Sequence, residues 1–421
     1  MMKTATTSFK NRVSSLRLRI ESLSKLRKSV ALPEAHDISE RQWFVIESEL
    51  KAVEIRLMRR LKKVTKLYSP QTGKIDSARN FNESLGEIEI EMSKAYTFFD
   101  TYADLLTQRH LSEIGRMLAG CDVLADEAIR KDHPALSVVE PPLVYCDRGF
   151  GASTLREGVN LPGRGINPIP LIQIPYSRLK EKCNLTSIFH EAGHEAMVRL
   201  NLIATIPEAF NKALKNAGAS GLIRDSFRLW SSEIGPDFWT FCLSGIAQAA
   251  TIREILALPS HQVFRISWGD PHPPPYLRAL ISFDWCRQVW GSGVWDDWES
   301  EWLELYPLKD APVEMRGVIG EMRKFVPVIG RVLLKTRFRT LGRKPISALF
   351  DLSAIAPANL KNTLKRSAEG KINLKGLSPA AQLAAFRIYK DEKKVDEEKM
   401  DKIMSEWLLK LGEKNNLEKK K

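Results

Sequence analysis

The 421-residue chain lacks the uninterrupted apolar run of roughly 18 residues that a membrane-spanning helix needs. Its best candidate, around Phe238–Leu256, is broken by Gln248, Arg253 and Glu254, so no transmembrane span is expected. The N-terminus has no apolar core of a secretory signal. Its Arg-, Lys- and Ser-rich, acid-poor opening faintly resembles a transit peptide, but a first bundle helix explains it better. Cysteine is scarce and odd in number: Cys121, Cys146, Cys183, Cys242 and Cys286, with no C-x-x-C pair. This argues against a disulfide framework and against a thiolate zinc site. The expectation is five buried, reduced thiols and a cytoplasmic protein. Histidine is also scarce, at 7 residues, which gives weight to any two that fall in register.

What is present is ordinary in bulk and uneven in detail. Hydrophobic residues make up 43% and charged residues 27%, as in globular proteins. The length suggests two or three domains. The net charge is +13, and nearly all of it lies late in the chain. From Ala311 onward there are 25 Lys and Arg against 13 Asp and Glu, a balance of +12. Lys335, Arg337, Arg339, Arg343 and Lys344 form the densest cluster. Such a field attracts nucleic acid, an anionic surface or an acidic partner. A solvated basic face is the plainer account, since no nucleic-acid motif accompanies it. Lys414–Lys421 reads as a frayed charged tail.

Residues 8–131 read as helices. Val13, Leu16, Ile20 and Leu23 repeat at three-four spacing. So do Trp43, Ile46, Leu50, Val53, Leu57, Leu61 and Val64, and again Phe81, Leu85, Ile88, Met92, Ala95, Phe99, Tyr102 and Leu106. A fourth run starts with Leu111, Ile114, Leu118 and Cys121. This spacing predicts helices packed along a seam, with polar breaks at Leu32–Asp37 and Ser69–Ser77. Asp132-His133-Pro134 ends the pattern. A glycine-rich loop follows, and then Leu171-Ile172-Gln173-Ile174 reads as a short strand. Prolines at both its ends suit the edge of a sheet. Trp239–Leu256 reads as one mostly buried helix. The tryptophans Trp268, Trp285, Trp290, Trp295, Trp298 and Trp302 are read as core before any specificity pocket. The expected segments are a helical bundle over 1–133, a central domain over 134–310 and a basic helical region over 311–421. The expected fold class is α+β, mostly helical, with a small sheet.

The chemistry concentrates at Phe189-His190-Glu191-Ala192-Gly193-His194-Glu195. On a helix, His190 and His194 stand one turn apart on one face, where two imidazoles can bind one zinc ion. Glu191 lies beside them, in reach of a water and suited to a general base. A catalytic zinc wants a third protein ligand. Glu233 is the best candidate, with Asp237 one turn later to accept the free N–H of a histidine. Pro236 between them is an obstacle. Either the helix begins near Ser232, or Glu233 and Asp237 are not in simple register. Further on, Asp270-Pro271-His272-Pro273-Pro274-Pro275 holds His272 on a stiff segment, with Arg278 six residues later. Both can bind a developing oxyanion. Gly193 is costly within a helix and makes sense if backbone or substrate passes close.

H-E-x-x-H, then E-x-x-x-D, then H-P-P-x-x-x-R, in that order, resembles the gluzincin metallopeptidases. The closest branch is that of the CAAX prenyl endopeptidase and HtpX-type proteases. The resemblance covers roughly residues 165–285 and implies a zincin-like central domain. It implies His190, His194 and Glu233 as ligands of one Zn2+, Glu191 as the base, His272 and Arg278 as transition-state stabilisers and Asp237 as the orienter of a ligand. It also implies that Leu171, Ile172, Gln173 and Ile174 pair with substrate at a sheet edge. The expected activity is hydrolysis of peptide bonds in a protein substrate. The alternative is an inactive peptidase fold that binds nucleic acid or an acidic partner through the basic C-terminal region, and Pro236 favours it.

Overall fold

Three-four apolar spacing becomes long helices at the start of the chain. The computed structural model describes residues 2–67, 75–149, 151–365 and 372–418. Helices span Met2–Ser22, Glu40–Leu67, Ile75–Thr107 and Ser112–Ile129. Leu16, Ile20, Val53, Leu57, Leu61, Phe81, Leu85, Ile88 and Met92 meet in one buried seam. The break expected at Leu32–Asp37 holds only a 3-10 turn, Glu34–His36. The one at Ser69–Ser77 falls mostly on residues 68–74, outside the described residues.

Contacts divide the chain into two compact units, where the sequence reading has three consecutive segments. The first is Met1–Gly120 with Leu155–Leu171 and Leu411–Lys421; the second is Cys121–Thr154 with Ile172–Lys410. Side-chain hydrogen bonds explain the discontinuity of the first. Tyr102 donates to Asn167 Oδ1 at 2.6 Å, and Asn167 Nδ2 donates to the carbonyls of Leu155, Arg156 and Ile169. Arg116 pairs with Glu413. Helix continues over Glu397–Glu418, so residues 414–418 are not the frayed tail expected of them, and residues 419–421 lie outside the described residues.

The second unit carries the small sheet and the remaining helices, in a chain that is mostly helical throughout. Strands β1 (Leu143–Asp147), β2 (Ser153–Leu155) and β3 (Leu171–Pro175) are ordered β1-β3-β2. This corrects the edge placement of β3. Its flanking prolines sit only at its ends, and β1 and β2 cover both sides of the strand. Leu171, Ile172 and Ile174 are buried. Gln173 accepts from Ser153 Oγ and donates to the Arg148 carbonyl. A strand with a neighbour on each side has no free ladder for a substrate peptide, so Leu171, Ile172, Gln173 and Ile174 do not add one.

The basic C-terminal segment is sewn into this unit by buried cations. The Lys182 side chain is fully buried and pairs with Asp401 at 2.5 Å. Arg387 pairs with Glu254 at 2.6 Å. Trp285, Trp295, Trp298 and Trp302 are buried as expected of core residues. The single helix expected over Trp239–Leu256 is two, Gly221–Ser244 and Ile246–Ile255, parted by Gly245. Among the described residues, no helix is long and apolar enough to cross a membrane.

Candidate metal centre

Three helices of the second unit supply the site. The motif helix, Thr186–Arg199, buries Ile188, Phe189, Ala192, Ala196 and Met197 and leaves His190 and His194 half-buried together on one side. The carboxylate helix, Gly221–Ser244, starts at Ser220, whose hydroxyl caps it, and carries Glu233 and Asp237. The arginine helix, Pro275–Trp290, carries Arg278 in its first turn and begins with Pro275, a residue suited to that place.

Pro236 lies deep inside the carboxylate helix, so neither form of the expected disturbance holds. A proline there removes the N–H that would bond the Ser232 carbonyl, a cost of about 3 kcal/mol in an isolated helix. Ser232 is exposed, so water can reach the residue that loses the bond. Tertiary packing offsets the remainder. The motif helix crosses at Pro236, where a Cβ added to Gly193 would sit 3.1 Å from Pro236 Cα and 3.3 Å from Trp239 Cβ. The backbone expected near Gly193 is therefore that of Pro236. The crossing sets the carboxylates against the histidines.

His190 Nε2 and His194 Nε2 lie 3.2 Å apart. Glu233 Oε2 is 3.2 Å from His190 Nε2, and Glu233 Oε1 is 3.7 Å from His194 Nε2. Tetrahedral donors at zinc's usual roughly 2.0–2.1 Å would stand about 3.3–3.4 Å from one another. The three residues thus fit one small cation, with nitrogen and oxygen donors of the kind zinc takes. All their ligand atoms fall within 4.8 Å of one another. His190 Nδ1 faces Asp237 Oδ1 at 2.9 Å, which turns its Nε2 toward the shared corner.

Arg278 differs from its expected role. Its Nε and Nη2 donate to Asp237 Oδ2 and Oδ1 at 2.5 and 2.7 Å, a bidentate clamp. Nη2 also lies 3.5 Å from His190 Nδ1. The guanidinium thus holds the carboxylate that holds His190. His272 is exposed, with Nε2 3.6 Å from Glu233 Oε2. Asp270 Oδ1 accepts from both the backbone N–H and Nδ1 of His272, at 2.9 and 2.7 Å. Asp270 was not singled out from sequence. An aspartate two residues before another residue's N–H is a familiar turn-former, and that signal was there to find.

The charges of the site depend on one another. Burial disfavours the His190 imidazolium, but the Asp237 carboxylate and the bond to Glu233 outweigh it and raise its pKa to about 10. Burial and the neighbouring His190 charge lower His194 to about 4. For Asp237, burial is outweighed by Arg278 and His190, which hold its carboxyl well below the usual range. Glu233 is held low chiefly by its bond to His190, against burial. Glu191 goes the other way. It is buried, and burial raises its pKa, aided by the nearby Glu233 charge. A carboxyl whose pKa is raised is a better proton acceptor, as a general base requires. The five cysteines are all buried and free, outside this cluster.

No family model, curated protein or solved structure matches the chain.

Proposed function

We propose that the protein is a zinc-dependent endopeptidase, with His190, His194 and Glu233 as ligands of one ion. The observation that carries this reading is the convergence of three donors, with Asp237 fixing the outer nitrogen of one of them. The order of the motifs, which resembles that of gluzincins, supports it. Zinc held there supplies a Lewis acid for the scissile carbonyl and brings the pKa of its water near neutrality. Glu191 takes a proton from the attacking water and passes it to the leaving amine. His272, held by Asp270, lies beside the developing oxyanion. Arg278 is a positioning residue, which keeps Asp237 ionised and aimed at His190 Nδ1.

Metal analysis of the purified protein and a peptide-cleavage assay test this. Wild type binds zinc stoichiometrically and cleaves, and Glu191→Gln keeps the zinc and loses turnover. Full activity of Glu191→Gln rejects the mechanism. Tight zinc in His194→Ala rejects the ligand set.

A second reading keeps the fold and drops the turnover. Pro236 no longer favours it, because Glu233 and Asp237 reach His190 with that proline between them. One surface does. Lys335, Arg337, Arg339, Arg343 and Lys344 are all exposed, and none has an ion pair among the described residues. No acidic residue occurs from Thr336 to Phe350. Buried Phe338 and Leu341 anchor the turn that presents these cations, and Phe338 N–H donates to the Lys344 carbonyl. Nucleic-acid binding that weakens with salt and survives chelation supports this reading; binding unchanged in the charge-neutralised turn rejects it.

A further inference from the structure

The chain has ten tryptophans, and Trp268 alone is exposed, at 58%. It sits in the connection between the short helix Ser260–Val263 and the arginine helix Pro275–Trp290. That connection is braced throughout. Val263 and Phe264 bury its start, and Phe264 meets Tyr276 across the base at 4.9 Å between ring centres. Asp270 N–H donates to the Ser267 carbonyl at 3.0 Å, closing a turn with Trp268 second and Gly269 third. Gly269 has φ +88, the conformation this third position requires. Arg265 Nε donates to Ser267 Oγ at 3.0 Å. Asp270 then grips His272 through its backbone and its ring. Pro273 and Pro274 are buried. The indole is therefore presented on a turn tied to the imidazole that faces Glu233. Trp268 and His272 are four positions apart in the chain, so their Cα atoms lie at most about 14 Å apart.

We infer that Trp268 forms a subsite beside the metal centre for a large apolar side chain of the polypeptide substrate, aromatic by preference. The occupant follows from the peptidase reading, on which this inference rests. A chain lying across His190, His194 and Glu233 passes the turn that carries His272. An indole there offers a wide flat face with few rotamers to immobilise, and aromatic groups stack on it favourably. Its exposure leaves apolar area that a substrate side chain covers. The other tryptophans of the segment are packed in the core or half-buried, so Trp268 is the one placed to do this.

Binding of short labelled peptides to zinc-loaded Glu191→Gln protein tests the subsite without turnover. The peptides carry Phe, Leu or Ala at each position in turn. One position prefers Phe and Leu over Ala. Trp268→Ala weakens the Phe peptide about tenfold and leaves the Ala peptide unchanged, while Trp268→Phe retains most of the preference. Zinc content stays the same in all three. Failure of the Glu191→Gln protein to bind any peptide overturns the subsite, and so does a preference that Trp268→Ala leaves intact. Cleavage by wild type, measured in parallel, keeps the two ideas separate. Cleavage with no dependence on Trp268 sinks the subsite alone. Trp268-dependent binding with no cleavage sinks the peptidase reading alone.

Discussion

The two units distribute charge differently. In the first, the helices close over an apolar seam and leave most of their ion pairs at its rim, although Arg109 and Glu54 are buried. Arg19 pairs with Glu89 and Arg60 with Glu87, all four side chains more than a third exposed. In the second, Glu191, Glu233 and Asp237 are buried, and the Arg278 side chain is only 15% exposed. Taking these groups from water costs several kcal/mol per ion, on the order given by ion-pair studies, and only close partners offset it. The first unit accepts that cost at scattered residues, Arg109 and Glu54, and the second accepts it in one cluster around His190.

The largest expected difference is chemical. Glu191→Gln lowers turnover by about a hundredfold or more while zinc content is unchanged, as loss of a general base does. Next comes stability. Arg278→Ala leaves the buried Asp237 carboxylate with His190 as its remaining charged partner and destabilises the second unit by about 3 kcal/mol, read from denaturant unfolding. Asp401→Ala, which strands the buried Lys182 ammonium next to a partly exposed partner, costs about 2 kcal/mol.

A proton count sharpens the comparison further. Without metal, His190 is protonated below about pH 10 and His194 is neutral above about pH 4. Ligation needs both nitrogens unprotonated. Zinc uptake at neutral pH therefore releases about one proton, measurable by calorimetry in buffers of different ionisation heat. Stability is linked to the same protonation. The raised His190 value favours the metal-free fold fully below its ordinary value of 6.5, and that contribution is lost as pH rises through about 10. A metal-free protein that gains stability over that window contradicts the Asp237–His190 pairing. The smallest effect belongs to the bundle: Arg19→Ala changes stability by less than about 1 kcal/mol, since exposed pairs are screened. A larger loss there would erase the contrast between the units.

Local rules served some elements and misled at others. The bundle helices were legible because three-four spacing is a property of each helix alone. The His190–His194 face was legible for the same reason. The residues of β3 spell a strand, but its flanking prolines suggest an edge. Where a strand lies in a sheet depends on β1 and β2, which local composition does not report. In the sequence, Pro236 threatens the placement of Glu233. Its cost is local, and its compensation at Gly193 comes from another helix. Asp270 has no visible role in the sequence because its partner, His272, matters only once Glu233 is near.

Sequence by itself determined the helical class, the paired histidines, the glutamate beside them and the identity of the downstream carboxylates, since each follows from spacing along one chain segment. Only tertiary structure decided that β3 is central, that Arg278 clamps Asp237, and that Glu233 completes a corner with His190 and His194. Those outcomes depend on distances between segments far apart in sequence, set by how helices cross and which buried charges find partners. Periodicity carries no information about either.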